Sequence, residues 1–261
     1  MIERAYSMIR AGVEGGVLTL TLHHPTRKNA IGPAMVNELL YALADAAEDG
    51  AVRSIVITGA GDAFCAGGDF AQMTSGAAAD ALPPKGDYAD LLLAMTRSPK
   101  PIIARVNGHA MGGGLGLVAA SHFAVGARGA KLGTPEINVG LFPMMIMAVL
   151  ARVVPRRRLT EMMLFGERME ADEAASIGLL GRAVDAADLD AAVKKITDTI
   201  ADKSPITVAL GLSAFAAQDD MALADALPML RERLGLCLAT EDAREGLMAF
   251  LQKRKPVWTG K

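Results

Sequence analysis

Two glycine-rich segments of the chain carry backbone N–H groups that no side chain shields. Residues 108–120 read GHAMGGGLGLVAA, with Gly112, Gly113 and Gly114 directly ahead of an apolar run that predicts a helix. A glycine inside a helix costs roughly 0.5–1 kcal/mol relative to alanine, so this cluster indicates that a ligand approaches the backbone closely. The free N–H groups of a helix amino end favour negative charge on such a ligand.

The second segment is GDAFCAGGDF, residues 61–70, in which Ala66, Gly67 and Gly68 leave their amides unshielded. Two loops that each follow a parallel strand can offer one N–H apiece to one oxygen, which makes a backbone oxyanion hole. A thioester carbonyl on its way to an enolate is such an oxygen. Either loop alone is more often a tight turn or a close helix–strand contact, so the prediction depends on the pair.

Glu136 lies beyond both loops, in the turn GTPEI. A carboxylate in an apolar pocket has a raised pKa, which lets it remove a proton from carbon and return it elsewhere. The alternative is a turn carboxylate that caps a neighbouring helix. His109 is a less favoured base, because a histidine before a tight turn is usually a hydrogen-bonded structural residue. Asp87 is interpreted as the cap of a helix that begins at Tyr88.

A dinucleotide site is the competing interpretation of the same glycines. Residues 114–119, GLGLVA, match the G-x-G-x-x-A pattern, and Glu136 lies twenty residues after Gly116. We do not favour it, because NGHAM separates the glycines from the preceding strand pattern and Glu136 lies well past the next one.

Alternating strand and helix patterns must position these groups. Strand patterns cover residues 17–22, 54–58, 102–106 and 123–125. Helix patterns cover residues 33–49, 88–95, 144–153, 171–177, 189–201, 205–217 and 241–252, and residues 71–87 have the composition of a loop. Strand patterns disappear from about residue 144 onward. The predicted architecture is an α/β core, residues 1–200, followed by a helical carboxy-terminal region, residues 201–261.

Composition excludes several function classes. The chain has 261 residues, 51% of them hydrophobic, and a formal net charge of −2, which gives no electrostatic footprint for nucleic acid. Two distant cysteines imply neither a disulfide framework nor a zinc site. No stretch approaches the roughly 18–20 apolar residues of a membrane span. We expect a cytoplasmic protein without nucleic-acid or membrane partners.

Five segments, in order, resemble the enoyl-CoA hydratase/isomerase (crotonase) superfamily. They are HPTRKNAIG, GDAFCAGGDF, NGHAMGGGLGL, GTPEINVGLFP and EDAREGLMAFLQKRKPVW. The resemblance covers nearly the whole chain. It implies a spiral of β-β-α units with a helical trimerisation region, and a homotrimer or dimer of trimers. It also implies an acyl-CoA substrate, with no metal and no cofactor other than the coenzyme A of the substrate.

The resemblance assigns roles to individual residues. It implies that Gly68 and Gly113 supply the two oxyanion N–H groups and that Glu136 is the acid–base residue. The positions it places beside coenzyme A are Arg27, Lys28, Ala30, Ala66, Asp69, Phe250 and Lys253. From the residues alone, Asp69 is expected to fix its own loop, Phe250 to be helix core and Lys253 to be solvated. Met144, Met145 and Met147 are expected either to line an acyl pocket or to be adaptable core.

The sequence departs from the hydratase pattern at Gly116, a substrate-facing position where the resembling hydratases carry a first glutamate. Resembling isomerases shift a double bond between the 3 and 2 positions with one glutamate at the place of Glu136. The sequence therefore favours isomerisation of an unsaturated acyl-CoA. Slower single-glutamate hydration of a 2-enoyl-CoA and a non-catalytic acyl-CoA binder are the alternatives. A Gly116→Glu substitution is expected to raise hydration if the pocket has room.

Overall fold

The computed structural model describes residues 4–69, 72 and 82–261. The strands are β1 (Ile9–Glu14), β2 (Val17–Leu22), β3 (Ser54–Gly59), β4 (Ala63–Cys65), β5 (Ile102–Val106), β6 (His109–Met111), β7 (Phe123–Ala127), β8 (Lys131–Gly133), β9 (Arg168–Glu170) and β10 (Arg182–Val184). The α-helices are α1 (Pro33–Glu48), α2 (Tyr88–Thr96), α3 (Gly113–Ala119), α4 (Met144–Leu150), α5 (Arg156–Phe165), α6 (Ala171–Ser176), α7 (Leu189–Ala201), α8 (Pro205–Gln218), α9 (Leu223–Leu238) and α10 (Glu241–Leu251). Short 3-10 segments cover Pro25–Arg27, Pro135–Val139 and Ala186–Asp188.

The strands form two sheets. The larger has the order β1-β2-β3-β5-β7-β10 and is parallel except for β1, which pairs antiparallel with β2. The smaller has the order β4-β6-β8-β9, in which β4, β6 and β8 are parallel and β9 is antiparallel. Successive pairs β3 and β4, β5 and β6, and β7 and β8 each place one strand in either sheet. This regular alternation is the predicted spiral of β-β units with helices between them.

The apolar pattern explains how the larger sheet is buried. The leucines of β2 at positions 18, 20 and 22 are fully buried and alternate with half-buried residues, as the period of two predicts. Every residue of β3 is buried, which fits a parallel strand covered on both faces. The core continues through α1, whose Met35 and Leu39 are fully buried.

The structure corrects the prediction that strands end near residue 144. β9 and β10 lie beyond that point, and each has three residues, which is too short to give a periodic signal. Two helices were also missed. α5 opens with three arginines, and α9 contains Pro228 in its interior, where proline normally argues against a helix.

The other predicted elements differ from the structure mainly at their ends. The helix predicted over 144–153 ends at Leu150 as α4, and the strand predicted over 123–125 extends to Ala127 as β7. Most of the predicted loop 71–87 lies outside the described residues, and 82–87 form neither helix nor strand. The described helices include none long and apolar enough to cross a membrane.

Candidate active site

Three strands of the smaller sheet direct three chain segments to one edge. β4, β6 and β8 are parallel neighbours, with Cys65 opposite Ala110 and Ala110 opposite Leu132. Because the carboxyl ends of parallel neighbours lie at the same edge, the residues that follow them converge. Gly68 follows β4, Gly113 follows β6 and Glu136 follows β8.

The loop after β4 is held by residues 28–31 of the preceding segment. Ala66 N–H donates to Lys28 O (3.0 Å), Ile31 N–H donates to Gly67 O (2.8 Å) and Asp69 N–H donates to Ile31 O (2.9 Å). Ile31 thus pairs with the residues on either side of Gly68, as in a parallel bridge. The Gly68 N–H consequently points away from Ile31, and it donates no hydrogen bond within the described ranges.

The glycines at the start of α3 are each required by a different neighbour. A Cβ on Gly112 would lie 2.6 Å from Glu136 Oε1, one on Gly113 would lie 3.0 Å from Ile31 Cγ2, and one on Gly114 would lie 2.5 Å from Cys65 Cβ. Gly112 also has φ +47°, which side chains disfavour. Gly113 is half-buried, and among the described residues its N–H donates no hydrogen bond.

Glu136 lies in the first turn of the 3-10 segment Pro135–Val139 and faces these glycines. Its Oε2 atom is buried and lacks a hydrogen-bond partner in the described structure. Burial raises the pKa of the Glu136 carboxyl above its ordinary value, and a hydrogen bond from its own backbone partly opposes the shift. The capping alternative is therefore not supported, since among the described residues the side chain accepts no bond from the start of a neighbouring helix.

Position 116 has no room for a side chain. A Cβ on Gly116 would overlap the hydroxyl of Tyr88 and would lie 2.5 Å from Ile146 Cγ2. Tyr88 is the first residue of α2, and Ile146 is a buried residue of α4. The condition attached to the predicted gain of hydration in Gly116→Glu is therefore not met. The place of a second carboxylate is filled by a phenol and an aliphatic side chain.

The predicted nucleotide-side residues form a mostly exposed rim beside this edge. Arg27, Lys28 and Ala66 are exposed, whereas Ala30 is buried. Lys28 has no ion-pair partner in the part of the chain that the structure describes. The rim thus presents cationic groups of the kind that suit phosphates.

Asp69 is buried and acts within its own loop, as the residues alone predicted. Its Oδ1 accepts a hydrogen bond from Gln72 N–H (3.2 Å) and lies 3.5 Å from Arg27 Nη2. His24 Nδ1 lies 3.8 Å from Asp69 Oδ2. The side chain has no exposed surface, so its contribution to a site is to hold the loop that carries Gly68.

Phe250 lies in the last turn of α10 and Lys253 follows that helix, whose main neighbours are α8 and α9. The interpretation of Phe250 as helix core is wrong, because its side chain is 82% exposed. Lys253 is exposed, as expected of a solvated residue. Met144, Met145 and Met147 are also exposed, so they are not core residues either. The predicted contacts of these residues with coenzyme A remain predictions.

Two minor interpretations are confirmed. Asp87 forms a capping box with Asp90 at the start of α2, and His109 Nδ1 accepts a hydrogen bond from Lys131 N–H (2.9 Å). One argument against the dinucleotide site was wrong, because part of NGHAM is itself a strand, β6, directly before Gly112. Glu136 nevertheless follows β8 and does not end β7, the strand after the helix.

Sequence reasoning missed three residues that shape the site. Asn29 is fully buried with φ +57°, and its amide donates to Ala60 O (2.8 Å) and Ala63 O (2.9 Å), which fixes the segment that holds the Gly68 loop. Its position inside HPTRKNA was the available signal. Tyr88 and Ile146 gave no local signal, because their contacts with α3 are tertiary.

In this α/β fold, two glycine N–H groups that donate no hydrogen bond among the described residues lie at the same sheet edge as one half-buried carboxylate. No group of three or more His, Cys, Asp or Glu arranged to hold a metal ion occurs among the described residues. The family model described as "Enoyl-CoA hydratase/isomerase" matches residues 12–261. The chain therefore belongs to the enoyl-CoA hydratase/isomerase family, that is, the crotonase superfamily.

Individual relatives support this placement. A Bacillus subtilis protein named "Probable enoyl-CoA hydratase" is 35% identical over 97% of this chain and 98% of its own length. The crystal structure of an enoyl-CoA hydratase of Mycobacterium smegmatis is 34% identical, with a TM-score of 0.89 over 97% of this chain and 99% of that one. Human enoyl-CoA hydratase domain-containing protein 3 is 32% identical, with a TM-score of 0.88 over 97% and 100%.

Proposed function

We propose that the protein isomerises an unsaturated acyl-CoA, moving a double bond from the 3 to the 2 position through an enolate. The observation that carries this proposal is the environment of Gly116. Tyr88 and Ile146 fill the space of a second carboxylate, whereas Glu136 has a buried Oε2 atom without a hydrogen-bond partner in the described structure and places its Oε1 atom against Gly112. One carboxylate suffices to carry a proton between two carbons, but orienting and activating a water is better served by two.

The proposed reaction uses three groups of the chain. The thioester oxygen accepts hydrogen bonds from the N–H groups of Gly68 and Gly113, which stabilise the negative charge of the enolate. Glu136 takes a proton from C2, and the C2–H electron pair delocalises into the thioester as the enolate. When the enolate collapses, a double bond forms between C2 and C3, the one between C3 and C4 breaks, and Glu136 returns the proton to C4. No oxidant, reductant or other reactant is consumed.

Hydration of a 2-enoyl-CoA is the second candidate, because relatives such as that of Bacillus subtilis are named as hydratases. Both reactions are followed by ultraviolet absorbance of the conjugated thioester, which isomerisation forms and hydration removes. We expect faster turnover of 3-enoyl-CoA across a panel of chain lengths. Hydration of a 2-enoyl-CoA at the rate of a two-glutamate relative, measured side by side, overturns the isomerase preference.

A non-catalytic acyl-CoA binder is distinguished by a thermal-shift titration run with the same esters. A binder raises its melting temperature on adding ester but turns over neither substrate. We expect both a shift and turnover. A shift without turnover of any ester in the panel overturns the enzymatic proposal.

We also propose that the chain assembles as a homotrimer or a dimer of trimers through its carboxy-terminal helices. Large apolar side chains are exposed on α8, α9 and α10, which is unusual for a surface that faces water. They include Phe215 (65%), Leu223 (73%), Leu247 (60%) and Leu251 (74%). Light scattering at micromolar concentration tests this proposal, and a stable monomer would overturn it.

A further inference from the structure

Tyr88 joins α2 to the start of α3. Its hydroxyl donates a hydrogen bond to Gly113 O (2.5 Å), and a Cβ on Gly113 would lie 3.6 Å from the tyrosine ring. The capping box of Asp87 and Asp90 fixes the first turn of α2, so the backbone of Tyr88 is itself held in place. The phenol therefore links α2 to α3 through a hydrogen bond whose donor is held in place.

The start of α3 depends on hydrogen bonds from residues outside the helix. Gly112 precedes the first turn of α3 and has no side chain that could cap the helix, and two further glycines follow it. Glycine loses more conformational freedom on folding than any other residue, so a run of three needs external partners to adopt one conformation. The described backbone supplies one such partner, since Gly112 N–H donates to Gly133 O (3.0 Å).

We propose that Tyr88 is a positioning residue that holds the Gly113 backbone so that its N–H points at the thioester oxygen. This inference rests on the proposed function, in which that N–H is one of the two oxyanion donors. A preorganised donor is effective because it need not reorient when charge develops on the oxygen. Without the phenol the donor would sample other directions, and the loss would fall on the transition state.

The hydroxyl keeps its proton over the working pH range. Burial holds the pKa of Tyr88 well above its ordinary value, and the nearby Cys65 and Glu136 add to the shift. The phenol therefore remains a donor to Gly113 O. We accordingly expect Tyr88→Phe to lower turnover at every pH without moving the pH profile, because the titrating group is Glu136.

Gly116 completes the arrangement, because only a residue without a side chain leaves the phenol where it is. A Cβ at position 116 would displace the Tyr88 hydroxyl without removing it. Gly116→Ala is therefore a second way to break the hydrogen bond from the Tyr88 hydroxyl to Gly113 O. The two variants should share a phenotype although they alter different elements.

The test uses Tyr88→Phe, with Tyr41→Phe as the matched control. Tyr41 loses its hydroxyl in the same way, but its ring packs against Arg4 and Lys85. The probe is an aromatic 2-enoyl-CoA whose absorbance shifts to the red when hydrogen bonds polarise its carbonyl. We measure this shift on binding, then kcat, KM and the melting temperature.

We expect Tyr88→Phe to lose most of the red shift and about 10-fold in kcat, less than the roughly 10²–10³-fold typical of deleting an oxyanion donor. KM should stay within about twofold of the wild type and Tyr41→Phe should be unchanged. A full red shift and wild-type kcat in Tyr88→Phe overturn the inference. If Tyr88→Phe does not fold, the red shift and kcat of Gly116→Ala are measured instead, and wild-type values of both overturn the inference. Absence of the red shift in the wild type overturns the proposed oxyanion hole instead.

Discussion

The Glu136 carboxylate lies directly against the backbone of Gly112, so that a methyl group on Gly112 would come within 2.6 Å of Glu136 Oε1. The same methyl would lie 3.6 Å from the Cα atom of Gly67. Gly112 therefore lies between the Glu136 carboxylate and the loop that carries Gly68, the proposed first oxyanion donor. Its missing side chain leaves the space through which the carboxylate faces the site.

Gly112→Ala is expected to abolish most turnover, because the new methyl group pushes the Glu136 carboxylate out of place. The matched control is Gly129→Ala. Both glycines have positive φ, but no described residue lies within 4 Å of a Cβ on Gly129. Both variants should lose about 1–3 kcal/mol of stability from backbone strain, measured by urea unfolding. Equal activities of the two folded variants would contradict the contact.

Glu136→Gln is expected to lose about 10²–10⁴-fold in kcat, which is the usual contribution of a general acid–base group. The amide keeps the size of the side chain, and the proposed oxyanion and nucleotide contacts are untouched. Steady-state kinetics should therefore give a lower kcat, and calorimetric titration with a substrate ester should give nearly unchanged binding. Full activity in this variant would refute the mechanism.

The raised pKa of Glu136 has a consequence for the pH dependence of activity. In the proposed mechanism the carboxylate must be ionised to accept the C2 proton, so kcat/KM should rise with pH through the folded-state pKa. That pKa is above the ordinary value of 4.5, because burial disfavours the charge. A pH–rate profile with a single acid limb centred above pH 4.5 is expected. A limb at or below that value would mean that Glu136 is solvated.

The raised pKa of Glu136 also makes the stability of the folded chain depend on pH. Activity should rise with pH, whereas this contribution to stability should fall. Between the unfolded and the folded pKa of Glu136, the folded chain binds more protons, so its contribution to stability falls as pH rises through that window. Glu136→Gln has no charge to bury. Its melting temperature should equal that of the wild type at acid pH and exceed it above the window, as measured by thermal unfolding across pH. A variant that is less stable at neutral pH would contradict this.

Gly116→Glu is expected to gain no hydration activity and to melt at a lower temperature than the wild type. The side chain would displace both Tyr88 and Ile146 from the first turns of their helices. Gly50→Glu is the control, since Gly50 is exposed just after α1 and has no described atom within 4 Å of a Cβ. The ratio of hydration to isomerisation rates in each variant is the measurement. A raised ratio in Gly116→Glu would show that the pocket can adapt.

Elements with a strong periodicity of apolar residues could be predicted from the sequence, and short elements could not. The leucines of β2 and the apolar run of β3 indicate their strands directly. β4, β6 and β8 have three residues each, and their strand conformation comes from pairing with one another. The smaller sheet, which carries the site, was for this reason expected only from the family resemblance.

The residues of the candidate site also divide into those that the sequence identifies and those that it does not. Gly68, Gly113 and Glu136 lie in recognisable segments, so the motifs identify them before the sheet is known. Tyr88 lies 25 residues from Gly113, to which its hydroxyl bonds, and its helix gives no hint of that contact. Whether a side chain fits at position 116 depends on α2 and α4 together, which a single sequence does not bring into contact.

The parallel order of β4, β6 and β8 sets the dimensions of the site. Neighbouring strands are held about 4.8 Å apart by their backbone ladder, whatever side chains they carry. The two proposed donor amides and the carboxylate each lie within three residues of a strand end, so the backbone ladder fixes where the three segments leave the sheet. Substitutions in the segments that border this edge, such as the exposed apolar surface around Met144 and Met145, can therefore alter the surroundings of the candidate site while the order in which its three segments leave the sheet stays the same.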